Sequence, residues 1–517
     1  MTIALDGQIF LVEVTAAIDS LGTTQTFYFC GGAGGFTTAP TDTPANQYYE
    51  PRLLQPADFT RPMFSDVTTA GQSTVTWGTL DLENIDGGLD SLMNYSFDNR
   101  LIRILVGDPL SAYSTFNVVM QCTVALAQFS YKMLSFTLRD LQAALDLQLI
   151  THLYGGTNIL PAGVDGTSDI AGTPVPRLYG SVLNIQPVCV NTSALVYQIH
   201  DGAINGISNV YDSGVALTVG VAYGSLAALL AASTTSGQYD TYLGGGYFKL
   251  GATPAGQLTC DCYRGAAVAN RTPAQLVNLI VNDMGFTNGQ INQTDLTSLD
   301  LIASYDCGVW VNDTSTALTI IDKIIASCGA YVGFDNLSMF RIAQLQSPSG
   351  VAVISLDTTN IKDIDLVATN DAQNGIPICG VNVTYAVNNN VQTSGLAGSV
   401  SAARRTILAL PYLTTSVTNS SVKNQYLSSQ VMQRDTVLIS SADAISEGNR
   451  LQALYGVQRY PFQATVKLDT LTINNLNLNS VVLVTIPRFN LNAGKLLRLI
   501  QIEADYANTT AILTLWG

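Results

Sequence analysis

The sequence predicts an α+β chain of several domains in which β structure dominates. Composition is the first ground: only five of the 517 residues are Glu (Glu13, Glu50, Glu83, Glu447 and Glu503) and Lys is scarce, whereas Val and Thr abound with the Asn and Gly of turns. That balance suits half-buried pleated surfaces. Periodicity is the second, because most apolar segments alternate with period two and few repeat at helical spacing. Length is the third: at roughly 150 residues per domain the chain holds about three or four.

Taken in order, Gln8–Ala16 and Thr26–Cys30 read as strands, with the turn GGAGGF at 31–36 after them. Ser73–Leu82 alternates as one half-buried strand should. Leu101–Gly107, Thr115–Phe129 and Lys132–Leu138 continue the pattern, and the period then changes, so Arg139–Ile150 is predicted helical. Gly155–Pro176, rich in Gly, Pro, Asp and Thr, is the expected linker. Leu178–Val190 and Ala194–His200 follow as strands. Thr272 with Pro273 opens a helix that runs to Gly285, and Asp313 or Thr314 opens another that Gly329 stops. A hairpin is expected next, AYVGF and SMFRIAQL around Asp335-Asn336, with a second boundary at SPSG, 347–350. Val351–Tyr385 reads as strands, Asn388–Ser401 as a polar loop, Ser420–Gln433 and Ala442–Val457 as helices, and Gln463–Gly517 as strands. The expected division is a β-rich domain at 1–150, inserted α+β domains at 151–350 and a second β-rich domain at 351–517.

Apolar residues make up 47% and charged residues 12%, which excludes intrinsic disorder. With 23 Lys and Arg against 38 Asp and Glu the net charge is −15, the wrong sign for clamping nucleic acid or anionic lipid. A negative surface does suit the wall of a conduit, since it repels passing DNA without holding it. Eight thinly scattered cysteines fit buried reduced thiols better than a disulfide scaffold. Cys260 and Cys262 share one face of a strand, but a zinc or iron–sulfur site would want a second pair. The start, MTIALDGQIFLVEV, lacks a positive region and meets Asp6 at once, so no secretion signal is expected. Val215–Ser233 is uncharged over its length, yet Thr218, Gly220, Gly224 and Ser225 interrupt it; a strand followed by a short Ala/Leu helix is expected, with no membrane insertion.

No catalytic constellation emerges. There is no G-x-S-x-G elbow and no H-E-x-x-H, and the only histidines are His152 and His200. His200-Asp201-Gly202 reads as a turn before it reads as part of a triad. Asp81, Glu83, Asp86 and Asp90 in DLENIDGGLD offer the paired carboxylates of a glycosidase, against a plainer reading as a strand edge and an Asp-Gly turn. The same stretch half-matches a calcium loop through Asn84, Asp86 and Gly87, but Leu82 and Met93 stand where that loop needs carboxylates. GGAGGF lacks the G-K-[ST] of a phosphate loop, and Arg404-Arg405 reads as a salt-bridging pair. The expectation is no enzyme, with no catalytic, cofactor-binding or metal-binding residue.

The runs LDLENIDGGLD (80–90), FDNRLIRILVG (97–107) and LRDLQAALD (138–146) resemble the first domain of phage tail-tip proteins, in which an L-x-L-x-N-x-D-G-x-L-D motif precedes a G-R-x-V-x-L-x-x-G strand. Asn99-Arg100 departs from the commoner Gly-Arg. PRLYGSVLNIQPVCV (176–190), LVYQIHDG (195–202), VYDSG (210–214), GQYDTYLGGGYFKLGATPAGQLTCD (237–261), IIASCGAYVGFDNLSMFRI (324–342) and GKLLRLIQIEADYANTTAILTLWG (494–517) extend the likeness over most of the chain. The group is the baseplate hub proteins of long-tailed, siphovirus-like phages and prophages, related in plan to the hubs of gene transfer agents. The resemblance implies a homotrimer that closes the tail tube. Two barrel-like tube domains per subunit would form a ring beneath the distal tail protein, and inserted α/β domains would point outward or toward central fibre proteins. It implies a virion protein of the tail tip, assembled in the host cytoplasm, whose lumen passes the tape measure protein and then DNA in transit. Net charge −15 adds the expectation of an acidic lumen. The alternatives are a receptor- or glycan-binding baseplate protein and a glycan-degrading one that uses the Asp81–Asp90 cluster.

Overall fold

The computed structural model describes residues 7–64, 70–367, 376–506 and 508–517. It is α+β with β dominant, as expected, and its strands fall into several sheets over several cores.

Near the N-terminus a seven-stranded antiparallel sheet runs Thr24–Cys30, Ile9–Ala17, Leu101–Gly107, Asn117–Phe129, Met133–Arg139, Thr79–Glu83 and Leu53–Gln55. Alternation explains its two faces: Phe10, Val12 and Val14 point into one core and Ile9 and Leu11 into a smaller one. On that second face Glu13 is buried but fully satisfied. It accepts from the hydroxyls of Tyr49 and Tyr113 at 2.8 and 2.6 Å and pairs with Arg103 at 2.9 Å.

The C-terminal strands Val481–Thr485, Lys495–Asp505, Thr510–Trp516 and Pro461–Lys467 form a second large sheet, with Ile354–Asp357 and Ile361–Leu366 at its ends. The two large sheets share one core, in which Phe10, Leu82 and Phe136 pack with Phe462, Leu499 and Tyr506. The chain crosses between them early. Phe59–Pro62 pairs with Lys495–Asp505 (Ala504 opposite Phe59, Gln501 opposite Pro62) and takes Thr76–Trp77 on its other side.

Two smaller sheets lie between. One holds Arg177–Ile185, Leu258–Arg264, Gly206–Asp212 and Gly308–Val311; the other holds Val188–Asn191, Val196–Gln198, Tyr247–Leu250, Gln238–Tyr242 and Thr218–Ala222. Gly180 permits the first: its φ is +71° and a Cβ there would lie 1.9 Å from the Cys307 carbonyl oxygen. The last core is helical. Pro273–Asp283, Ala317–Ala326 and Ser441–Tyr455 pack with the hairpin Ala330–Phe334/Phe340–Gln344 and with strand Gly380–Tyr385.

Several sequence expectations need correction. Arg139–Ile150 forms only a short 3-10 turn at Leu141–Ala144, capped by Asp140. Its apolar residues Leu145, Leu149 and Ile150 are buried as expected, but the carbonyls of Leu145 and Leu147 accept from the N–H groups of Leu318 and Ala317 at the start of another helix. Ser73–Leu82 is two strands in two sheets, broken at Gly78, whose N–H donates to the Asp58 carbonyl at 2.8 Å. Ser420–Gln433 is helical only over Ser420–Gln425, because Val431–Arg434 is drawn into parallel pairing with Gly380–Tyr385. The helix expected from Asp313 or Thr314 begins at Ala317: Asp313 instead closes a turn onto the Ser315 N–H, and the Thr316 hydroxyl caps the Thr319 N–H. Residues 155–176 are a held loop, since Asp165 accepts from the Gly155 N–H at 2.8 Å and the Thr157 hydroxyl at 2.7 Å while Val164 and Ile170 pack on a small core. Val215–Ser233 is short strands and the helix Leu226–Ala231, as expected. No helix among the described residues is long and apolar enough to cross a membrane.

The turn of the Ala330–Gln344 hairpin joins the parts. Asn336 donates to the Val119 carbonyl at 2.9 Å and to Asn474 Oδ1 at 2.6 Å, its own carbonyl accepts from the Gln121 N–H, and Ser338 donates to the Gln121 carbonyl. Below it, Arg341 holds Asp295 through two bonds of 2.6 and 3.1 Å, Asp335 at 3.2 Å and Asn477 at 3.1 Å. Replacing Arg341→Met leaves two largely buried carboxylates without their cation. Denaturant unfolding followed by tryptophan fluorescence is expected to show a loss of about 3–5 kcal/mol; a loss under about 1 kcal/mol would show that the cluster does not hold the parts together.

Candidate functional site

Both large sheets end in strands whose outer sides are largely unpaired among the described residues: Thr24–Cys30 in one, Ile354–Asp357 and Ile361–Leu366 in the other. A single bridge, between Phe29 and Glu50, touches the first of these edges. Such edges present backbone N–H and C=O groups that a further strand could pair. The two edges of the C-terminal sheet differ in character. Ile361–Leu366 exposes Lys362, Asp363 and Asp365, charges that oppose indiscriminate pairing. The approach to Ile354–Asp357 exposes Val351 at 91% and Val353 at 57%, apolar surface with no cover among the described residues.

Two of the four carboxylates of the cluster, Asp86 and Asp90, are engaged in their own fold, whereas Asp81 Oδ1 is buried without a partner among the described residues. Asp86 receives two bonds from Arg52, at 2.8 and 3.0 Å, which with the Gly88 N–H hold its carboxyl far below the usual carboxylate range. Asp90 accepts from Asn84 Nδ2 at 2.8 Å while Asn84 Oδ1 accepts from the Leu89 N–H at 2.8 Å. Asn84, which a calcium loop would need as a ligand to the ion, therefore closes the turn on itself. Asp81 and Glu83 lie in the strand Thr79–Glu83. No three or more Asp, Glu, His or Cys residues converge as a metal site among the described residues.

The histidines meet partners the spacing did not reveal. His200 is buried, its Nδ1 accepts from the Leu178 N–H at 2.9 Å, and burial with the nearby Arg264 and Arg177 charges drives its pKa down to about 3. His152, far away in sequence, reaches Asp201 Oδ2 at 3.0 Å through Nδ1. The pair stands at a cleft of about 470 Å³ with Tyr154, Thr157, Asp165 and Tyr247. That cleft carries a His–Asp pair but no Ser or Cys, and its alcohol Thr157 already donates to Asp165.

Cys260 and Cys262 sit in strand Leu258–Arg264, both buried, and burial pushes the Cys260 thiol well up, away from the thiolate a metal needs. Arg404 and Arg405 bind carbonyls where carboxylates were expected: Arg404 stacks 4.0 Å from the Tyr211 ring centre and reaches the Gly214 carbonyl, and Arg405 reaches those of Val400 and Ala397. Arg405 thus braces the 388–401 loop, and Arg404 ties the helix after it to the Tyr211–Gly214 turn.

No family model matches the chain, and no curated protein does. Among solved structures it is similar to the 43 kDa tail protein of prophage MuSo2 from Shewanella oneidensis, at 11% identity over 98% of each chain with a TM-score of 0.40. It is also similar to the tail protein from Neisseria meningitidis MC58, at 9% identity over 98% of this chain and 96% of that one, TM-score 0.38. A chain of the virion of a native gene transfer agent particle matches at 14% identity over 72% of this chain and 91% of that one, TM-score 0.43.

One ionisable group sits where the large sheets cross. Burial, and next the negative charges of Asp505 and Glu503, raise the Asp58 carboxyl to about 6, and its Oδ1 has no protein partner among the described residues. A folded pKa above the unfolded one means that Asp58 favours the fold most when protonated, and that this contribution is lost as pH rises from about 4 to about 6. Asp58→Asn is therefore expected to be more stable than the parent at pH 7.5 by about 1–2 kcal/mol, after discounting for the solvent still reaching the group. The gap should close near pH 4. Melting curves across that range test it, and a variant less stable at pH 7.5 would refute it.

Proposed function

We propose that the chain is a structural protein of a phage tail and, within the tail, the baseplate hub that closes the tube and links the distal tail protein to the central fibre. The observation that carries the reading is the pairing of the two ends of the chain: strands from 9–139 and from 354–366 and 461–516 build two open sheets on one shared core, while most of the chain between is carried outside them. The run 80–107, which resembles tail-tip proteins, lies within the first of these sheets, and 494–517 within the second. An open double sheet is the part a ring-forming subunit needs, since a closed barrel leaves no edge for a neighbour.

In this reading three copies join edge to edge, and the apolar approach at Val351 and Val353 is covered by a second copy. The charged strand Ile361–Leu366 limits pairing to the correct neighbour. With net charge −15 the lumen repels DNA phosphates, so tape measure protein and DNA pass without being held. The role is assembly in the host cytoplasm and residence at the virion tail tip, with no turnover of substrate.

Light scattering of the purified chain, alone and mixed with virion tails, is expected to give three chain masses or a monomer that trimerises on tails. Val353→Lys, at an exposed position, should keep the monomer folded and abolish trimer formation. A stable monomer that ignores tails would overturn the reading. Incubation with capsule or lipopolysaccharide is expected to release no sugar; release that Asp86→Asn abolishes would favour the glycan-degrading alternative.

A further inference from the structure

A second cleft, of about 550 Å³, opens where the two middle sheets meet the 388–401 loop. Gln186, Gln257, Asn312, Asn389 and Asn390 line it with Trp310, and no acidic, basic or histidine side chain is among its lining residues. Its size falls within the range of about 300–1,000 Å³ usual for ligand sites. The loop that completes it is built in: Asn184 Nδ2 donates to Asn388 Oδ1 at 2.7 Å and to the Asn390 carbonyl at 2.6 Å, and Asn389 Nδ2 donates to the Leu183 carbonyl at 2.9 Å.

We propose that this cleft binds a neutral glycan. A sugar hydroxyl both donates and accepts, and a carboxamide offers an acceptor oxygen and two N–H donors, so five carboxamides match a ring of hydroxyls without needing a charge. The same lining has no cation to hold a phosphate or a sialic carboxylate and no anion to hold an amine. Trp310 has already given its indole N–H to the Ile199 carbonyl at 3.0 Å, which leaves it an apolar surface for the C–H face of a sugar ring. Gln257 is held from three sides, by Gln186 Oε1 at 3.3 Å, Asn390 Oδ1 at 3.0 Å and Gln392 Nε2 at 3.3 Å, so part of the site is ordered before any ligand arrives. Capacity remains: the Asn312 side chain has no hydrogen-bond partner among the described residues, Gln186 uses only its oxygen, and Asn390 Nδ2 is a buried donor without an acceptor.

The test uses the full chain and neutral oligosaccharides of glucose, galactose and N-acetylglucosamine, two to six units long, with sialylated and uronic-acid oligosaccharides as comparison. Tryptophan fluorescence and titration calorimetry are expected to show saturable binding of at least one neutral series. Asn312→Ala and Gln186→Ala, both at exposed side chains, should each weaken it by roughly tenfold with unchanged melting curves. No binding of any neutral oligosaccharide at millimolar concentration, preference for the acidic ones, or affinity untouched by both substitutions would overturn the proposal. The measurement needs no ring, so its outcome stands apart from that of the trimer experiment.

Discussion

The buried polar cluster around Arg341 is the constraint on which the remaining architecture depends. The hairpin Ala330–Gln344 belongs by packing to the helical core, yet its turn is bonded to the N-terminal sheet at Val119 and Gln121 and to the C-terminal segment at Asn474, and Arg341 in its second strand reaches Asn477. Hydrophobic burial is non-directional and would bring these parts together in many orientations. Hydrogen bonds have direction, and a buried donor left unmatched costs about 1–3 kcal/mol. The bonds of Arg341, Asp295, Asp335 and Asn336 therefore favour a defined orientation of the helical unit on the double sheet.

That division of labour separates the two large sheets from the surfaces that carry the clefts. The double sheet carries open edges, one charged and one flanked by exposed valines, and is suited to contact other copies. The middle units carry the two clefts, both formed where loops fold back over sheets. The clefts differ in chemistry: one has carboxylates, a histidine and tyrosines, the other carboxamides and an indole. The double sheet can stay constant while the cleft surfaces vary, because loop substitutions do not touch the shared core.

The acidic groups tell a consistent story of containment. Asp86 is fixed by Arg52, Asp90 by Asn84, Glu13 by two tyrosines and Arg103, and Glu447 by Arg450 at 2.6 Å. Carboxylates so engaged stabilise turns and strands and are poorly placed to act on a substrate. Asp58, crowded by burial and by like charge, is a contrasting case, and it lies at the crossing of the two large sheets.

Where period and cap agreed, the sequence alone was enough. Leu101–Gly107 and the helix from Thr272 and Pro273 stand as read, because alternation, a capping hydroxyl and a proline in the first turn act within a few residues. The β-dominant class, the strand-and-short-helix form of Val215–Ser233 and the hairpin at Asp335-Asn336 were legible for the same reason. Tertiary structure decided the rest. Arg139–Ile150 has helical spacing, but its carbonyls bond to the Ala317–Ala326 helix, and Ser420–Gln433 lost its second half to a parallel partner distant in sequence. The His152–Asp201 pair and the carboxamide cleft join residues that no local pattern connects. Local rules settle what one segment prefers in water; which buried donor meets which acceptor depends on segments far apart along the chain, and only the folded chain brings those together.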